Sequence, residues 1–94
     1  MEGGAVYALT AAFYNAITLD KGRVQQTNFH QFPLVRMHEV PAIDIVLVES
    51  AEAPGGIGEP VTAVVVPAIA NAVAALTGKR VRELPLSAQA LRMA

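Results

Sequence analysis

Between Ala5 and Thr18 the apolar residues Val6, Leu9, Phe13 and Ile17 recur at spacings of three and four, the period of an amphipathic helix. Five alanines in the same stretch keep this predicted helix slender, so another backbone can lie close against it. Asp20 and Gly22 then supply turn chemistry between Ile17-Thr18-Leu19 and Val24-Gln25-Gln26, which predicts two short strands joined as a hairpin. From Thr27 to Pro41 neither period persists and Pro33 and Pro41 interrupt, so an ordered, extended connection is expected. Ile43 to Glu49 alternates with apolar residues on both faces beyond Asp44, the pattern of a strand inside a sheet or beneath a helix.

After a stretch rich in Gly and Pro, a second helix is expected from Pro67, a residue suited to a first helical position because its missing N–H needs no partner there. Ile69, Val73 and Leu76 form its stripe, and Gly78 is placed to end it, with Lys79 and Arg80 at the negative end of the dipole. Val81 to Leu84 is expected as a short edge strand before Pro85, and Ser87 as the cap of a last helical turn or two. The pattern as a whole predicts an α+β fold in two layers, helices packed on one face of a small mixed sheet.

With 94 residues the chain holds at most one domain. It is 53% hydrophobic and only 16% charged, more apolar than so short a chain can bury by itself. Some of that surface is therefore expected to face another subunit or further polypeptide, or to drive self-association into a homo-oligomer. The absence of cysteine excludes disulfides, thiolate metal sites and iron–sulfur ligation within the chain. A net charge of -1 gives no electrostatic footprint for nucleic acid. Val61 to Leu76, uncharged but only sixteen residues long, falls short of a bilayer span. Met1-Glu2-Gly3-Gly4 has no basic leader region, which leaves both a cytoplasmic and a periplasmic location open.

The chemistry concentrates in Pro54-Gly55-Gly56-Ile57-Gly58-Glu59-Pro60. A carboxylate on a glycine-rich turn, between a buried strand and an apolar helix, is where desolvation favours a general base, and glycines let the backbone approach a bulky ligand. The same pattern also describes an ordinary strand-to-helix connection. It has neither the Gly-Lys-Ser/Thr of a phosphate-binding loop nor a dinucleotide fingerprint.

This stretch, read with Pro67-Ala68-Ile69-Ala70-Asn71-Ala72 and Thr77-Gly78-Lys79-Arg80-Val81-Arg82-Glu83-Leu84-Pro85-Leu86, resembles the C-terminal end of the molybdenum-binding large subunit of the xanthine dehydrogenase/aldehyde oxidase family. Within that family it is nearest the beta subunits of the bacterial isoquinoline 1-oxidoreductases. Glu2-Gly3-Gly4 and Asn28-Phe29-His30-Gln31-Phe32-Pro33-Leu34-Val35-Arg36-Met37 match that group in the same order. The resemblance implies that residues 1–94 are part of a C-terminal molybdopterin-binding domain. It implies a molybdenum hydroxylase acting on an N-heterocycle or an aldehyde, with Glu59 as catalytic base and Gly56 and Gly58 shaping the loop around the molybdenum cofactor. Electrons would leave through an iron–sulfur subunit, and the isolated chain, without the remainder of the molybdenum-binding subunit, is expected to hold no cofactor and to be inactive. Family members commonly carry a glycine and two prolines after Glu-Pro, where this chain has Val61, Ala63 and Val64. The alternative, from a different class, is a non-catalytic remnant or structural module that associates through its apolar faces.

Other residues read more simply. His30 and His38, with Glu39 near, lack the spacing of a metal site. Tyr7 and Tyr14 are expected to pack, Arg36 to be solvated or ion-paired, and Glu52 to be exposed; Ser87 has no base partner for hydrolase chemistry.

Overall fold

The computed structural model describes residues 1–86. Helix α1 spans Glu2–Phe13, a hairpin pairs β1 (Leu19–Asp20) with β2 (Arg23–Val24), short 3-10 turns occupy Phe29–Gln31 and Met37–Glu39, and helix α2 spans Pro60–Thr77. The chain is thus a small α+β unit, built differently from the predicted layers. The two helices pack on each other, and the sheet is antiparallel rather than mixed. Its four residues are exposed, because strands this short offer no apolar face for a helix to cover.

The slender face of α1 is what the packing uses. Ala8 and Ala12 are fully buried, with Ala5, Leu9 and Leu86 beside them. The Leu86 N–H donates to the Ala12 carbonyl at 2.6 Å, so the last described residue is fastened to the same helix. Of the predicted stripe, Leu9 is buried and Val6 and Phe13 are half-buried, whereas Ile17 lies beyond the helix end and is exposed. The helix closes early, with the Tyr14 and Asn15 N–H groups both donating to the Thr10 carbonyl, at 2.9 and 3.1 Å.

Lys21 (φ 50°) and Gly22 (φ 77°) form the hairpin turn. Positive φ at both central positions is the geometry whose twist matches paired strands. The register sets Leu19 opposite Val24 and Asp20 opposite Arg23, narrower than the predicted strands. In the connection that follows, the Asn28 side chain accepts the Phe29 N–H at 2.8 Å to start the first 3-10 turn.

Three expectations are corrected. The second helix starts at Pro60, seven positions ahead of Pro67. Both prolines suit a first helical position; Pro60 takes it because the turn it opens packs against α1, and Pro67 is carried inside the helix on an exposed face. Its end is as predicted: Gly78 adopts φ 74° and its N–H returns to the Ala74 carbonyl at 2.8 Å. Leu76, assigned to the stripe, is 87% exposed, being off the face that Val61, Val65 and Ile69 turn toward α1. With 18 residues, α2 is by length and composition alone long and apolar enough to cross a bilayer, as some core helices of soluble proteins are.

The other two corrections concern strands. Ile43 to Glu49 and Val81 to Leu84 form no ladder among the described residues. A strand exists only against a partner, and the hairpin is too short to extend a sheet to either. The predicted cap at Ser87 lies outside the described residues. A radius of gyration of 16.1 Å, against ~12 Å for a compact domain of this length, reflects these uncovered segments.

Candidate functional site

Gly4 stands in the first turn of α1, and a Cβ built on it would meet the Gly58 carbonyl oxygen at 2.8 Å and Val61 Cγ1 at 2.5 Å. Neither distance is tolerable for a real side chain, so glycine is what lets the backbone before Glu59 rest on α1. The Thr62 hydroxyl donates to the Gly4 carbonyl at 3.2 Å. The Thr62 N–H donates to the Glu59 carbonyl at 2.9 Å, closing the turn that launches α2. Two stretches far apart in the chain, Glu2-Gly3-Gly4 and Gly58-Glu59-Pro60, therefore form one surface.

Glu59 occupies the position immediately before α2, with helical φ and ψ of -101° and -26°, and its side chain makes no capping bond. It is exposed, as are Gly56 and Gly58. A Cβ at Gly55, Gly56 or Gly58 would meet nothing within 4 Å, and none of the three has positive φ. Nothing within the described chain requires glycine there. Bare backbone facing open space suits the close approach of a body from outside, and in that respect the loop fits the bulky cofactor implied by the resemblance. Glu52 is likewise exposed, and its N–H donates to the Ser50 hydroxyl at 3.1 Å.

The segment of residues 28–37 flanks another side of α1. The Val35 N–H donates to the Thr10 hydroxyl at 3.2 Å, and Phe32, Leu34 and Val35 join Gly3, Val6 and Tyr7 around an open hollow of about 350 Å³. Gly3 and Gly4, adjacent in sequence, thus serve two neighbours: Gly3 lines the hollow and Gly4 carries the Glu59 turn. A larger apolar trough of about 470 Å³ runs between α1, residues 41–44 and the Val61–Val65–Ile69 face of α2.

The remaining polar candidates are engaged or isolated. The Glu39 carboxylate accepts from the Tyr14 hydroxyl and, at 2.7 Å, from the Arg36 N–H. Tyr14 is therefore a tether as well as a packing residue, while Tyr7 is exposed. His30 and His38 are exposed, and the described residues contain no group of three or more His, Asp and Glu able to hold a metal. The contribution of Gly4 was the feature least visible beforehand. Its one signal was a pair of glycines just ahead of the helix predicted from Ala5; α1 in fact begins at Glu2 and takes both in, which costs helix stability unless a close neighbour needs the space.

No protein-family model matches the chain, and no solved structure does. Among curated proteins it is similar to the beta subunit of the isoquinoline 1-oxidoreductase of Brevundimonas diminuta, 41% identical over 86 residues, which cover 92% of this chain and 11% of that protein. It is 34% identical over 90% of its length to the membrane-bound aldehyde dehydrogenase [pyrroloquinoline-quinone] of Gluconacetobacter polyoxogenes, of which 11% is covered. A third relative is the B subunit of the nicotinate dehydrogenase of Pseudomonas putida, 30% identical over the whole chain and covered to 8%. Nearly the entire chain is thus similar to parts of oxidoreductase polypeptides, and it spans about a tenth of the length of each curated relative it matches.

Proposed function

We propose that the chain belongs to the molybdenum hydroxylases and forms one part of the cofactor-binding large subunit, contributing its catalytic base and a portion of the cofactor wall. The observation that carries this reading is the joining of Glu2-Gly3-Gly4 to Gly58-Glu59-Pro60 through Gly4, two motifs of the resemblance that meet only in the folded chain. Similarity to three oxidoreductases over at least 90% of this chain supports it.

In this reading the bare backbone at Gly56 and Gly58 lies against the molybdenum cofactor, which when bound supplies the two-electron oxidising centre. Glu59 takes up a proton at its carboxylate during the reaction. The net change is oxidative hydroxylation of an N-heterocycle or aldehyde: a C–H bond is replaced by C–OH, the oxygen comes from water, and two protons and two electrons are released. The electrons would leave through iron–sulfur clusters held outside these 94 residues, which have no cysteine to ligate one; in this reading an iron–sulfur subunit carries them. Substrate-selecting walls come from the remainder of the large subunit.

A second reading rests on the exposure of Glu59, whose side chain has no hydrogen-bond partner among the described residues: the chain acts as a non-catalytic structural or interaction module. The two readings separate by elemental analysis and turnover. The chain alone is expected to bind no stoichiometric molybdenum. Assembled with the polypeptides that complete such an enzyme, it is expected to form a molybdenum-containing complex in which Glu59→Gln retains the metal but loses turnover. A complex whose turnover is indifferent to Glu59→Gln removes the base assignment; failure to enter any molybdenum-containing complex favours the second reading.

A further inference from the structure

We infer that the outward face of α2 is a homodimer surface, on which a second copy of this chain lays its own α2 antiparallel. Val61, Val65 and Ile69 turn toward α1. On the outward side Val64, Ala68, Asn71 and Ala75 are all exposed, Ala68 also reaching the rim of the trough. Their spacing of four, three and four draws a straight stripe along the helix. Its two alanines let another helix axis come as near as about 8 Å. Asn71 is its one polar member, and the Asn71 amide oxygen already accepts from Arg80 Nη1 at 2.8 Å. Covering the stripe therefore leaves that oxygen paired.

Charge selects the occupant. No charged residue lies between Glu59 and Lys79, so α2 carries charge only at its ends, a carboxylate before the first turn and the exposed Lys79 and Arg80 after the last. The stripe reads the same in both directions about the midpoint between Ile69 and Ala70. An antiparallel copy centred there sets Val64 beside Ala75 and Ala68 beside Asn71. The same register brings Glu59 of each copy to Arg80 of the other, with Lys79 adjacent, so both ends are neutralised at once. Parallel pairing would instead put Glu59 on Glu59 and the basic pair on its own copy. Antiparallel pairing also sets each helix dipole against its opposite. A shallow crossing of about 20° keeps both ends within reach over a helix about 27 Å long. A strip of that length and about 10 Å in width is small among specific interfaces, so a dissociation constant on the order of 10–100 µM is expected. The pairing stands whether or not Glu59 acts as a base in a completed enzyme.

The test is sedimentation equilibrium of the full chain, with circular dichroism confirming that each variant is folded. The parent is expected to pass from monomer to dimer with rising concentration, and less readily as salt screens the end charges. Glu59→Arg and the double variant Lys79→Glu/Arg80→Glu should each weaken the dimer at least tenfold, because each places like charges at both ends. Mixed together, the two should form a heterodimer as tight as the parent dimer, since antiparallel pairing then sets arginine on glutamates at one end and Glu59 on Lys79 and Arg80 at the other. Ala75→Gln keeps the charge and the helix propensity but thickens the stripe, and should also weaken the dimer at least tenfold. A chain that stays monomeric at about ten times the upper end of that range, a dimer indifferent to Ala75→Gln, or a mixture of the two folded charge variants that stays monomeric would each overturn the proposal.

Discussion

The Thr62 hydroxyl and the Gly4 carbonyl, 3.2 Å apart, join the first turn of α2 to the first turn of α1. The approach is close because Gly4 has no side chain, and a Cβ there would overlap Val61 and Gly58. Gly3→Ala and Gly4→Ala are therefore expected to diverge. A Cβ on Gly3 meets nothing within 4 Å, so Gly3→Ala gains helix propensity of up to about 1 kcal/mol. Gly4→Ala gains the same propensity but forces the helices apart, at an overpacking cost of about 1–3 kcal/mol. Thermal denaturation should show the first variant at or above the parent and the second below it; a Gly4→Ala protein as stable as Gly3→Ala would mean that the helix contact is not tight.

Pro67 sits inside α2 with an exposed side chain. It removes the N–H that would bond the Ala63 carbonyl, an interior cost of about 3 kcal/mol. Because little packing is lost with the ring, Pro67→Ala is expected to raise both helicity and melting temperature. Pro60→Ala, at the first helical position, should change little. Circular dichroism of the two variants gives the comparison, and a fall in stability for Pro67→Ala would show that the proline ring is used in packing.

What could be read beforehand divides along the range of the forces involved. The Gly78 stop and the Asp20-Lys21-Gly22 turn were legible because each depends on the conformational freedom of a residue or two. The start of α2 was not, since Pro60 and Pro67 carry the same local signal and the choice between them is made by Val61 and Thr62 against Gly4, a contact between distant parts of the chain. Ile43 to Glu49 shows the same limit: alternation specifies a conformation but cannot supply the partner. At the candidate site the glycine-rich loop stood out, while the role of Gly4 beside it became visible only once the helices were placed.

The Tyr14 hydroxyl and the Arg36 N–H converge on Glu39, fastening residues 36–39 to the end of α1. Tyr14→Phe removes one of these bonds and should cost about 1 kcal/mol, the net worth of a single hydrogen bond. Glu39→Ala removes both and should cost more. In a double-mutant cycle the Tyr14→Phe effect should shrink toward zero in the Glu39→Ala background, measured by denaturant unfolding; an unchanged effect would mean that the two side chains are not coupled in solution.

Gly22, at φ 77°, turns a hairpin that the helices do not cover. Gly22→Val places a branched side chain in the left-handed region, at about 1–2 kcal/mol or more, enough to open so short a hairpin. The Gln25 N–H, which donates to the Thr18 carbonyl at 2.9 Å, should lose protection from hydrogen exchange while the melting temperature stays within a degree or two, because the cost falls on a local opening. A large fall in melting temperature would instead place the hairpin within the cooperative core.

Glu59, Gly56 and Gly58 provide a cleaner test of function than most active-site groups, because the described chain makes no structural use of their side-chain positions. Glu59 is exposed and forms no side-chain cap, and a Cβ at either glycine meets open space. Glu59→Gln, Gly56→Ala and Gly58→Ala should thus leave the stability of the chain within about 0.5 kcal/mol, as exposed substitutions do. Any loss seen after assembly would then report on the completed site. Under the proposed function Glu59→Gln should lower turnover by roughly 10²–10⁴-fold, the range for a missing general base, with molybdenum content unchanged. Gly56→Ala and Gly58→Ala should lower molybdenum content instead, because an added methyl group would stand between backbone and cofactor. If all three assembled variants match the parent in both metal content and rate, the loop is an ordinary connection and the chemistry lies elsewhere in the complex.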